Sequence, residues 1–265
     1  MKYGCCVNMF GNKMDPVGMN YIGYLAESGY DYVELPLAQI MELPTEKFEQ
    51  LKETLKKYNM NCECCNNFFP ASVRLTGENT SLNVIEDYIR NACSRAAELG
   101  VKVIVFGSAG AKNVPEGFPE EKAFQQIVEV LKIADQHASY EGIQIAIEPL
   151  NRMESNIIVN LSDGKKLMQA VNASNIKLLV DYYHFTVEKE SLDTIIENGP
   201  DIIHVHFAEP EGRIFPSGIL NEYRNFFAAL NNVGYDSRVS IEANSKQVRK
   251  DIGNGLAIMK NCIEN

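Results

Sequence analysis

Residues 144–148 read Gln-Ile-Ala-Ile-Glu, and three later stretches also end in a side chain that can bind a metal. These stretches are Leu-Leu-Val-Asp at 178–181, Ile-Ile-His-Val-His at 202–206 and Val-Ser-Ile-Glu at 239–242. Each is a short apolar run with β-branched residues, which is typical of a buried strand. Their last residues are 33, 25 and 36 positions apart, so about one strand and one helix separate each from the next.

The same alternation of strand and helix extends along the whole chain. Eight strands are predicted, at Lys2–Val7, Asp31–Leu35, Asn61–Asn66, Lys102–Phe106, Ile143–Glu148, Lys177–Asp181, Ile202–His206 and Arg238–Glu242. Helical patterns lie between them, at Thr45–Tyr58, Ser81–Leu99, Glu120–Tyr140, Ser162–Val171, Asn221–Asn231 and Ser245–Ile263. Eight units in 265 residues favour an α/β fold, a (β/α)8 TIM barrel in a single domain over residues 1–265. An open, doubly wound sheet is the alternative, because periodicity does not show closure.

Period-two alternation separates two faces on the last four strands. One face is apolar and is expected to pack under the helices: Ile145, Ile147, Leu178, Val180, Ile203, Val205, Val239 and Ile241. The other face is expected to point into the barrel: Gln144, Ala146, Glu148, Leu179, Asp181, His204, His206, Ser240 and Glu242. Four of these, Glu148, Asp181, His206 and Glu242, share one register at the C-terminal mouth, where barrel enzymes place their chemistry. The pattern predicts that the four surround one ion.

The predicted ligand set suggests which metal it would hold. Three carboxylates and one imidazole suit Mn²⁺, Mg²⁺ or Co²⁺ better than a metal that prefers thiolates, with Mn²⁺ favoured and Zn²⁺ still open. Any one of these acids could instead cap a strand or pair with an arginine. Four such residues in one register favour a metal site over that structural interpretation.

Composition and charge exclude several classes of partner. The chain has 35 acidic and 25 basic residues and a net charge of −10, which disfavours binding to nucleic acid. It contains no apolar run of about 18 residues and no apolar core of a signal peptide at its start, so no membrane association is expected. Seven cysteines, an odd number, suggest free thiols and a cytoplasmic location.

Several motifs at these strand ends resemble those of a known family. The segment Glu148–Glu154, EPLNRME, resembles an E-x-x-N-R-x-E signature, and Asp181–His184, DYYH, resembles a D-x-x-H motif. His206 with Arg213 downstream, and Ser240–Glu242, complete the likeness. It is to the xylose-isomerase-like TIM barrels, a group of sugar phosphate isomerases and epimerases, and most of all to ketose 3-epimerases of the D-tagatose and D-psicose type.

The resemblance implies roles for seven residues. Glu148, Asp181, His206 and Glu242 would be the metal ligands, and Glu154, His184 and Arg213 would bind the sugar. It also implies a homo-oligomer. The chain departs from the family at Arg213, which lies seven rather than six residues after the histidine, and at Asn244, where an aromatic residue is expected. It also has no tryptophan, so the identity of the sugar stays open.

The chemistry expected is that of a divalent-metal-dependent epimerase or isomerase of a small unphosphorylated ketose. A metal-stabilised enediolate would form when one of Glu148 and Glu242 removes a proton, and the other would return a proton to the opposite face. An inosose dehydratase-like lyase on the same site and a non-catalytic sugar-binding barrel are the alternatives. A barrel of the apurinic-endonuclease type is disfavoured, because such sites hold three zinc ions with many histidines, whereas this chain has only four histidines and an acidic charge. No nucleotide-binding motif is present.

Some further residues are weaker candidates. Glu34 takes the inward position of the second strand, and Asn66-Asn67 and Gly107 follow the third and fourth strands, where the pocket wall is expected. His204 is expected to fill the barrel interior or to support the ligand set. Arg152 is expected to form a structural ion pair.

Overall fold

The computed structural model describes residues 1–264 and contains one closed barrel of eight parallel strands in chain order. Each strand pairs with its neighbour in sequence, and β8 pairs with β1 to close the barrel. The strands are β1 (Lys2–Cys6), β2 (Tyr32–Pro36), β3 (Asn61–Asn66), β4 (Val103–Phe106), β5 (Gln144–Ile147), β6 (Ile176–Asp181), β7 (Ile202–Phe207) and β8 (Arg238–Ile241). The predicted closed barrel is therefore confirmed, and the open sheet is wrong.

Helices surround the barrel on its outer side. They are α1 (Ile22–Ser28), α2 (Leu37–Met41), α3 (Thr45–Lys57), α4 (Leu82–Glu98), α5 (Ala109–Lys112), α6 (Glu120–Tyr140), α7 (Leu161–Val171), α8 (Tyr182–Val187), α9 (Leu192–Asn198), α10 (Asn221–Asn232) and α11 (Val248–Glu264). Within residues 1–264, none of them is both long and apolar enough to cross a membrane.

The last helix begins later than the sequence predicts. The Ser245 hydroxyl accepts a hydrogen bond from the backbone N–H of Gln247 and lies 2.6 Å from a carboxylate oxygen of Asp251. A serine whose hydroxyl bonds to nearby groups in this way favours a non-helical turn over an α-helix. The helix therefore starts at Val248 rather than at Ser245.

The predicted separation of the strand faces is right at all but one of the apolar positions. Seven of the eight residues expected under the helices belong to the main core, and Ile203 does not. Leu178 pairs with Ile202, whereas Leu179 pairs with His204, so β7 carries one extra residue at this point. The bulge turns Ile203 toward the small apolar cluster inside the barrel.

Candidate active site

Four side chains from the second half of the barrel meet at its C-terminal end. Asp181 ends β6, His206 is the fifth residue of β7, and Glu148 and Glu242 directly follow β5 and β8. One donor atom from each of the four lies within 4.8 Å of the donor atoms of the others. All four are buried, and His206 has no exposed surface. The arrangement places three carboxylates and one imidazole around a single point.

His206 presents its Nδ1 atom to this point. Nδ1 lies 3.1 Å from Oε1 of Glu148 and 3.2 Å from Oε2 of Glu242. The opposite ring nitrogen, Nε2, lies 2.9 Å from Oε1 of Glu34 on β2. Burial alone would lower the pKa of His206, but the negative charge of Glu34 raises that pKa well above its ordinary value.

The cluster carries an excess of negative charge that Arg213 partly balances. The Arg213 guanidinium lies 2.5 Å from Oε2 of Glu242 and 3.3 Å from Oδ2 of Asp181. Burial raises the pKa of Asp181. Burial would also raise the pKa of Glu242, but the charges of Arg213 and His206 hold it well below the ordinary value. Carboxylate oxygens with one imidazole nitrogen are donors that suit a hard or borderline divalent cation, so the residues present fit such an ion.

Arg213 is held over the mouth by its own loop. Its backbone lies in the left-handed region at φ 46°, and its carbonyl oxygen accepts a 2.7 Å hydrogen bond from the N–H of Asn244. The guanidinium lies over the ring of Tyr183 at 4.9 Å. Its Nε atom is buried and has no hydrogen-bond partner among residues 1–264. This leaves one N–H donor free at the edge of the cluster.

His184 is fixed in one tautomer by Asn151. The backbone N–H of Asn151 and its side-chain amide both donate to Nδ1 of His184, at 3.1 and 2.8 Å. Because Nδ1 accepts, the proton of the neutral ring is on Nε2. Burial lowers the pKa of His184, which favours this neutral form. Nε2 is buried without a hydrogen-bond partner in the described chain and lies 3.6 Å from Oδ2 of Asp181, so it is a second free donor facing the cluster.

Glu154 lies on the outer rim of the site. Its Oε1 accepts a 3.3 Å hydrogen bond from the Asn151 amide, and its Oε2 is 3.6 Å from Arg213. The side chain is 37% exposed, so one face of the carboxylate is open to a ligand. The exposed side chain of the adjacent Arg152 forms an ion pair with Glu188 at 2.7 Å. This pair is the structural role expected for Arg152.

The early strands supply supports for the cluster. Asn66, at the end of β3, donates to Oε1 of Glu242 at 2.9 Å. Gly107, directly after β4, leaves space for the Glu148 carboxylate, because a Cβ atom there would overlap its Oε2 atom. Both residues were expected in the pocket wall. Their contacts show that they position metal-ligand candidates.

Lys112 is a support that the sequence did not predict. It is completely buried in the short α5 helix, and its Nζ donates to the backbone carbonyl of Glu148 at 3.1 Å. Burial lowers the pKa of Lys112 to about 8. A lysine in the segment AGAK gives no pattern that distinguishes it from a surface residue. Only the folded structure identifies this contact.

Two other groups of potential ligands share Glu34. Cys6, Glu34 and His206 form one, and Glu34, Cys64 and His204 form the other. Burial, and then the charge of Glu34, raises the pKa of Cys6 and of Cys64 well above the ordinary value. Both thiols are therefore neutral at physiological pH, and a thiolate metal site is disfavoured.

We predict that Gly107→Ala weakens Mn²⁺ binding by about tenfold or more, because the new methyl group displaces the Glu148 carboxylate. The free energy of unfolding should change by less than about 1 kcal/mol, because the atom that must move ends a flexible side chain. Isothermal titration calorimetry and urea unfolding measure the two quantities. Gly253→Ala is the control, since its added methyl meets only one atom, at 3.9 Å. Unchanged Mn²⁺ affinity in Gly107→Ala would contradict this assignment.

We also predict a pH dependence of stability from Lys112. Its pKa is about 8 in the folded protein and 10.5 ordinarily, so the unfolded chain binds more protons between these values. The free energy of unfolding of the wild type should rise relative to Lys112→Met by about 2 kcal/mol between pH 8 and about pH 10. Below about pH 7 the difference in free energy of unfolding between the wild type and Lys112→Met should be constant. Urea unfolding at a series of pH values measures it, and parallel curves throughout would refute the assignment.

Comparisons with known proteins agree with this architecture. The ketose 3-epimerase of Arthrobacter globiformis is 26% identical over 266 residues, which cover 98% of this chain and 90% of that protein. The L-ribulose 3-epimerase of Methylomonas sp. (strain DH-1) is 24% identical over 241 residues, covering 89% and 82%. A D-psicose 3-epimerase crystallised in the presence of D-fructose has the same fold, with a TM-score of 0.88, 20% identity and full coverage of both chains. The sequence pattern of the xylose isomerase-like TIM barrel family matches residues 22–262, and the chain belongs to that family.

Proposed function

We propose that the protein is a divalent-metal-dependent carbohydrate epimerase that acts on a small unphosphorylated ketose. One observation carries the proposal: Glu148, Asp181, His206 and Glu242 bring four donor atoms within 4.8 Å of one another at the mouth of the barrel. The relatives named as ketose and L-ribulose 3-epimerases support the same class of reaction. The four side chains would hold one ion, for which Mn²⁺ is favoured over Mg²⁺, Co²⁺ and Zn²⁺.

The ion would polarise the ketose carbonyl and so make the neighbouring C–H more acidic. Both glutamates lie close to Nδ1 of His206: Oε1 of Glu148 is 3.1 Å away and Oε2 of Glu242 is 3.2 Å away. They come from β5 and β8, so they can face a small ketose from two sides. One removes the proton from the carbon next to the carbonyl, and the other returns a proton to the opposite face, which inverts the configuration.

Three further side chains would bind the sugar. The free Nε2–H of His184 and the free Nε–H of Arg213 are donors for the substrate oxygen that gains negative charge. Glu154, at the exposed rim, would accept hydrogen bonds from sugar hydroxyls. Arg213 already faces Glu154, Asp181 and Glu242, so its charge is balanced within the site. This balance favours a neutral sugar over a phosphorylated one.

The location and assembly of the protein stay predictions. All seven cysteines are free and buried, which supports the cytoplasmic location expected from the sequence. A homo-oligomer is expected from the family resemblance, with no nucleic acid or membrane as partner.

We predict that the metal-loaded wild type incorporates deuterium from D₂O next to the carbonyl of at least one ketose in a panel of pentuloses and hexuloses. NMR and mass spectrometry of the recovered sugars measure the exchange and the epimer formed. Removing the metal with EDTA should abolish the exchange, and adding Mn²⁺ should restore it. Glu148→Gln and Glu242→Gln should each lower turnover by about 10²–10⁴-fold, because each loses a proton-transfer group.

Arg152→Gln is the matched control, since its side chain is 70% exposed and pairs with Glu188 outside the cluster. It should retain wild-type turnover. Absence of deuterium in every ketose would contradict the proposal. Release of a dehydrated product would instead indicate the lyase, and sugar binding without any exchange would indicate a binding protein.

A further inference from the structure

A buried carboxylate from the first half of the barrel lies on the other side of the His206 ring from Glu148 and Glu242. Glu34 is on β2 and has no exposed surface. Its Oε1 lies 2.9 Å from Nε2 of His206, and its Oε2 lies 2.8 Å from Nε2 of His204. The Ser240 hydroxyl donates to Oε2 at 2.6 Å and lies 2.8 Å from the Tyr32 hydroxyl.

In all of these contacts the Glu34 carboxylate accepts the hydrogen bond. A carboxylate without solvent is stable only when donors surround it, and here two imidazole N–H groups and one hydroxyl do so. The bond to His206 places a proton on Nε2 of that ring. Nδ1, on the other side of the ring, lies between Glu148 and Glu242 and is the nitrogen left to bind an ion once it releases its own proton. The direction of the whole network therefore determines which nitrogen of His206 faces the cluster.

We propose that Glu34 is a positioning residue that fixes the tautomer and orientation of His206, so that Nδ1 is its metal-binding atom. A carboxylate bonded to the far nitrogen of a metal-binding histidine holds the ring and increases its strength as a ligand. The inference rests on the proposed function, because it requires the metal site. It adds a residue from the first half of the barrel that does not touch the ion.

A purely structural role explains this arrangement less well than a positioning role does. A buried carboxylate with its partners often contributes little to stability compared with apolar residues of similar size. Glu34 lies between the two histidines of β7 and binds both with separate oxygens. His204, in turn, holds the second oxygen and so limits rotation of the carboxylate. The network is thus directed at the imidazole that faces the cluster.

The test is the affinity of the metal-free protein for Mn²⁺, measured by electron paramagnetic resonance of the free ion. Glu34→Gln should weaken Mn²⁺ binding by about 10- to 100-fold, because the amide cannot accept from both histidines. Glu34→Asp keeps the charge and should lie between the wild type and Glu34→Gln. Circular dichroism checks that each variant is folded.

Glu63→Gln is the matched control. Glu63 is a buried glutamate on β3, and it pairs with Lys2 at 2.5 Å and Arg238 at 2.7 Å, outside the cluster. The same chemical change there should reduce stability and leave the Mn²⁺ affinity within about twofold of the wild type. Equal Mn²⁺ affinity in Glu34→Gln and the wild type would overturn the positioning role alone. Absence of Mn²⁺ binding by the wild type would overturn the metal site and the proposed function with it.

A second measurement needs no variant. The chain has four histidines, so their ring nitrogens can be resolved by long-range proton–nitrogen NMR. In the Zn²⁺-loaded wild type, His206 should carry its proton on Nε2 and bind through Nδ1. Binding through Nε2 with the proton on Nδ1 would overturn the inference, even if Glu34→Gln does not fold.

Discussion

Mutual repulsion among three carboxylates governs the chemistry at the mouth of this barrel. Glu148, Asp181 and Glu242 offer oxygens that, together with Nδ1 of His206, lie within 4.8 Å of one another in a buried site. Like charges at this separation oppose ionisation unless positive charge lies nearby. Arg213 supplies part of that charge from its loop. The cluster is consequently able to hold a cation, and the proposed reaction requires the same property.

The supports of the cluster come from all around the barrel. Asn66 on β3 orients Glu242, and the absence of a side chain at Gly107 leaves space for Glu148. Glu34 on β2 faces the imidazole of His206, and Asn151 fixes the tautomer of His184. The first half of the barrel therefore supplies contacts to the cluster, whereas the four candidate ligands come from the second half. A closed barrel makes this possible, because strands far apart in sequence face one interior.

The sequence predicted the barrel and its closing half well, because both depend on local periodicity. The bounds of β3 are as predicted, and Asp181 and His206 lie on the expected face because the alternation is regular between the bulge and the ends of β6 and β7. Ile203 was misplaced because a bulge interrupts the alternation, and no local signal marks it. The contact between Glu34 and His206 joins residues 172 positions apart, so only the closed fold brings it about. Lys112 likewise looks like a surface residue until its helix packs beside Glu148.

The most direct test of this account is anomalous X-ray diffraction from a crystal of the protein grown with Mn²⁺. We expect one strong manganese peak bounded by the carboxylates of Glu148, Asp181 and Glu242 and by Nδ1 of His206. A crystal with no peak at this point, or with these side chains turned away from a peak elsewhere, would contradict the central claim that the four residues bind one divalent cation.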